Sequence, residues 1–89
     1  MTDLNAVLAE RGARYGKFTD HATVTMDIKR VIHGHTPGGF EDDQLEALDM
    51  IAHKIGRILA GDPNYADSWV DIAGYAQLVA NRLLDERVQ

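Results

Sequence analysis

Cysteine is absent from these 89 residues. That removes a disulfide scaffold, a thiolate zinc site and a cysteine nucleophile from consideration. No apolar run approaches the roughly 20 residues that span a bilayer, so no membrane association is expected. The opening MTDLNAVLAERG lacks the basic start and apolar centre of a secretory signal. A soluble, cytoplasmic protein is the expectation. Positive charge is in short supply: 9 Lys and Arg face 14 Asp and Glu, a net charge of −5. That balance argues against indiscriminate DNA or RNA binding. No stretch shows β alternation bounded by hairpin turns, and no internal repeat or low-complexity segment stands out.

What is present is helical periodicity. A chain of 89 residues makes one small domain, spanning 1–89, whose marginal core favours self-association, a dimer foremost. Residues 41–60 carry Leu45, Leu48, Ile51, Ala52, Ile55, Ile58 and Leu59 in one stripe of period 3.6. Asp42 or Asp43 suits its start, Gly61 its end, and Pro63 blocks continuation. A second helix over 65–86 has the stripe Tyr65, Trp69, Ile72, Ala73, Ala76, Val79, Ala80 and Leu83. The short turn between them makes an antiparallel hairpin. Folding about Asp62 and Pro63 sets residue 54 level with about 71, and 57 with about 68. Two shorter helices are expected at about 3–13, capped by Thr2 or Asp3, and at about 20–33, capped by Thr19 or Asp20, with Phe18 stapling back on its start. Val24, Ile28, Val31 and Ile32 form the buried side of the latter. Residues 14–18 read as a connector and His33–Phe40 as a turn-rich loop. The fold class is all-α: a small bundle of about four helices built on a long hairpin.

Several polar sets can carry chemistry. Glu46, Asp49 and His53 fall on one helix face and could offer a divalent metal two oxygens and an imidazole nitrogen. The plain alternative is a solvated face with an Asp49–His53 contact. Asp67 and Asp71, one turn apart, could share Mg²⁺ or form ion pairs with Arg57 and Lys54. Along the hairpin Glu46 lies about 12 Å from Asp71 at 1.5 Å per residue, so a single cage from both sets would need another subunit. Arg14, Tyr15, Lys17 and His21 put cations, a ring and an imidazole close together, which suits a nucleotide: charge for phosphate, a ring for stacking. Lys54 and Arg57 add phosphate-binding charge. His33 and His35 flank a glycine, a weak two-ligand metal motif. Val70 and Leu78 lie away from the main stripe of the last helix, and a helix apolar nearly all round is central or contacts a second chain. Gly74 on that side implies a packing contact, since glycine inside a helix costs about 1 kcal/mol.

The segments ERGARYGKFTDHA, QLEALDMIAHKIGRILAGDPNYADSW and VDIAGYAQLVANRL resemble a family of small phage and prophage proteins of unassigned function, over about residues 9–84. More remotely the chain is similar to helical domains associated with nucleotide modification in phages, and to MazG-like all-α nucleoside triphosphate pyrophosphohydrolases. Those enzymes hold Mg²⁺ with an E-E-x-x-E run on one helix and E-x-x-D on the next. Here Glu46-x-x-Asp49 lies on the first hairpin helix, Asp67-x-x-x-Asp71 on the second, and no E-E-x-x-E exists. The resemblance implies a phage-encoded helical protein acting in the cytoplasm of an infected or lysogenic bacterium. Its leading expected role is binding of a nucleotide or nucleotide-derived signal, in phage nucleotide metabolism or counter-defence. The alternative is a non-catalytic interaction protein that covers and inhibits a host defence protein.

Overall fold

The computed structural model describes residues 3–88. They form four helices: α1 (Leu4–Tyr15), α2 (Phe18–Gly34), α3 (Asp42–Ala60) and α4 (Ala66–Val88). No strand occurs among the described residues. The all-α bundle on a helical hairpin is therefore the observed architecture.

Helix ends follow local chemistry, with some departures from the sequence expectation. Asp3 caps α1, its carboxylate accepting from the Asn5 N–H at 3.0 Å; Thr2 lies outside the described residues. α1 runs through Gly12 to Tyr15, so Arg14 and Tyr15 are helical rather than part of a connector. Gly16, at φ 78°, ends it in the left-handed region. α2 begins at Phe18 after an extended Lys17 that makes no side-chain cap. The expected caps Thr19 and Asp20 thus lie inside the first turn, where Asp20 suits the positive helix end. Phe18 does not staple the start; it is 79% exposed. In α3 the cap is Glu41, whose N–H donates to Gln44 Oε1 at 2.8 Å. Asp42 and Asp43 sit in the first turn instead.

The hairpin register is the one expected from the turn. Lys54 Nζ meets Asp71 Oδ2 at 2.9 Å. Nearer the open end, Arg82 grips Asp43, its Nη2 donating to Oδ1 at 2.7 Å, while its Nη1 meets Glu41 at 3.1 Å and Glu86 at 2.9 Å. Both cross-hairpin pairs obey the same register. Trp69 Nε1 donates to the Pro63 carbonyl at 2.8 Å and pins the turn.

The apolar stripes are rotated from expectation. α3 is central, with α2 on one side and α4 on the other, and α2 and α4 do not touch. Small residues of α3 therefore meet the neighbours: Ala47, Ala52 and Gly56 are buried, with Lys54 and Ile58. Leu59, expected in the core, is 67% exposed. On α2, His21 and Thr25 are the buried residues, and Val31 is 62% exposed. On α4, Ser68 is buried and Asp71, Ile72, Tyr75 and Val79 are half-buried, while Trp69, Ala73 and Ala76 are exposed. α4 is apolar on so many sides that its pattern alone could not choose which side faces α3. The α2–α3 crossing is tight. A Cβ on Gly56 would collide with Thr25 Oγ1 and lie 2.9 Å from the His21 ring.

Candidate functional site

The C-terminal ends of α1 and α3 abut through backbone. A side chain on Gly16 would strike the Ala60 carbonyl, and one on Gly61 would strike the Tyr15 backbone. The Asp62 N–H donates to the Arg14 carbonyl at 2.7 Å across this junction. The junction fixes four side chains in a row. The Arg57 guanidinium lies over the Tyr15 ring, 4.1 Å from its centroid. Tyr15 meets Tyr65 edge-on, centroids 5.8 Å apart at 76°. Arg14 lies 5.1 Å over the Tyr65 ring and donates from Nη1 to the phenol oxygen at 3.2 Å. Cations over aromatic faces are held by the ring quadrupole, and Arg remains able to donate at its edge.

Charge at this corner is unevenly matched. Arg14 pairs with Glu10 at 3.2 Å. The Tyr65 hydroxyl donates to Asp67 at 2.9 Å, and that bond raises the phenol pKa above its ordinary value. Among the described residues, no carboxylate lies within ion-pair distance of Arg57 or Lys17. In a chain of net charge −5, Arg57 is a cation stacked on a ring, and Lys17 follows Tyr15 by two positions in the chain. Phe18, next to Lys17, adds a bare ring.

Of the residues singled out for a nucleotide, Arg14, Tyr15 and Arg57 are brought together; Lys17 is exposed between α1 and α2. Lys54 and His21 are not. Lys54 is buried, its side chain 11% exposed and committed to Asp71. His21 is a core histidine, 6% exposed, with Nε2 donating to the His53 carbonyl at 3.1 Å. Tyr65 completes the row but was placed by sequence in the α4 core stripe. Nothing local marked it, since its partner Arg14 is 51 positions away.

The metal candidates separate. Asp49 turns to His33, which meets its two carboxylate oxygens at 2.8 and 3.0 Å, and not to His53. His53 instead stands edge-on to His21, centroids 4.6 Å apart. Burial, then the charge on Arg57, pushes His53 down to about 4. Glu46 is exposed, Asp67 accepts from Tyr65, and Asp71 holds Lys54. His35 bonds the Val31 carbonyl at 2.9 Å and does not join His33. No group of three or more His, Asp or Glu able to hold a metal exists among the described residues. The side chains present therefore do not fit the Mg²⁺ site of the pyrophosphohydrolase pattern: each acid except Glu46 is already matched by a neighbour.

A family model described as a domain of unknown function, DUF6378, matches residues 2–83. No curated protein and no solved structure matches the chain. The chain belongs to the DUF6378 family.

Proposed function

We propose that this member of the DUF6378 family binds a nucleotide or a nucleotide-derived signal at the α1–α3 corner, without turnover. The observation that carries the reading is Arg57, stacked on Tyr15 with no carboxylate in ion-pair range. A guanidinium held flat by a ring presents its N–H edge to phosphate oxygens at little entropic cost. Lys17 supplies a second charge and Phe18 a face for a base. The resemblance to small phage and prophage proteins extends the reading to phage nucleotide metabolism or counter-defence inside an infected bacterium.

The test is a thermal-shift panel of nucleoside mono-, di- and triphosphates and their cyclic forms, with and without Mg²⁺. At least one should raise Tm, corresponding to about 2.7 kcal/mol at 100 times Kd. Arg57→Gln should abolish the shift, and Arg11→Gln on the exposed side of α1 should leave it intact. A flat response of the wild type at millimolar nucleotide overturns the reading. The second reading, an interaction protein that covers a host protein, is favoured by the apolar residues α4 leaves exposed, among them Trp69 at 55% and Leu78 at 67%. It predicts indifference to nucleotides and a partner recovered from host extract in a defined ratio.

A further inference from the structure

α4 is the helix with apolar residues on most sides, yet among the helices it packs on α3 alone. One flank of α4, beside its contact with α3, carries Trp69, Ala73, Ala76, Ala80 and Leu83 at alternating intervals of four and three residues. That is the seam spacing of helices that pair along their length. The seam contains no charged residue. Its sizes read large, small, small, small, large about Ala76, which makes it complementary to itself when reversed. Trp69 would stand against Leu83, Ala73 against Ala80, and Ala76 against its own copy. Reversal about a midpoint is what a two-fold axis produces. In the single chain this face is open: Trp69 is 55% and Leu83 38% exposed.

The exposed area argues for the same occupant. The chain exposes 6470 Å², whereas a compact monomer of its mass exposes about 5,200 Å². The excess, about 1,300 Å², exceeds the roughly 800 Å² per partner of a standard interface. Its radius of gyration is 15.7 Å, against about 12 Å for a compact chain of this length. Beside the seam, Phe40, Leu48 and Ile51 line an apolar groove of about 260 Å³ with Ala76 and Val79, so the open surface continues onto α3.

We infer that a second copy of this chain covers α4, the two α4 helices crossing antiparallel with Ala76 at the two-fold axis. The small seam residues allow the axes to approach to about 8 Å. The inference is independent of the nucleotide reading, and its test uses no ligand. Sedimentation velocity should give twice the 9.8 kDa chain mass, and Tm should rise with protein concentration. Because the chain has no native cysteine, Ala76→Cys should form a disulfide-linked dimer on mild oxidation, and Leu78→Cys, on the other flank of α4, should not. Ala76→Glu, at a position exposed in the single chain, should shift the mass to that of one chain. A wild-type mass of 9.8 kDa with a concentration-independent Tm overturns the inference. So does an oligomer that crosslinks through Leu78→Cys and not through Ala76→Cys.

Discussion

Asp71 has one visible task, neutralising Lys54, whose side chain is nearly enclosed between α3 and α4. Asp71→Asn removes the charge and leaves a buried ammonium poorly matched, which costs about 1–3 kcal/mol. Urea denaturation should show that loss, and nucleotide binding per folded molecule should be unchanged. His53 gives the fold a pH dependence. Its pKa falls from 6.5 unfolded to about 4 folded, so the unfolded chain binds more protons between those values. Its contribution is complete above pH 6.5 and is lost as pH falls toward 4. Arg57, His21, Lys54 and Lys29 all repel the protonated ring, behind burial as the larger cause. Tm of the wild type should therefore decline through that window, and His53→Gln should show a shallower decline. The Lys54–Asp71 pairing was legible from the hairpin register, but the burial of Lys54 and the depressed pKa of His53 were not. His53 was read as part of a polar face with Glu46 and Asp49, and Lys54 as a cation near the hairpin end, because α3 was expected to bury one side and it buries two.

At the scale of elements, the α2–α3 crossing depends on a missing side chain. Gly56→Ala should lower stability by about 1–3 kcal/mol through overpacking against Thr25 and His21. The better helix propensity of alanine, about 1 kcal/mol, offsets this only in part. A lower urea midpoint at unchanged slope is the expected reading. The four helices and the hairpin register were legible: a stripe of period 3.6, a glycine stop and a proline after it leave few alternatives, and the Lys54–Asp71 and Arg82–Asp43 pairs obey the register read from the turn. Which side of each helix is buried was less legible. Periodicity reports that an apolar side exists, and α3 with two packed sides and α4 with an open one both exceed what a single stripe encodes.

At the scale of the molecule, α3 packs against both α2 and α4, which do not meet, and the described chain is elongated, with extents of 50 × 27 × 26 Å. The corner near Tyr15 has a different character. Arg14, Tyr15 and Arg57 were recognisable from residue type, but their meeting point depends on Gly16 and Gly61, where main chain rests on main chain. Where the groups sit is set by the peptide backbone, and on the proposed reading what they recognise is set by the side chains. On that reading, a chain that kept the two glycines and exchanged the arginines and tyrosines would keep the frame and change what it binds.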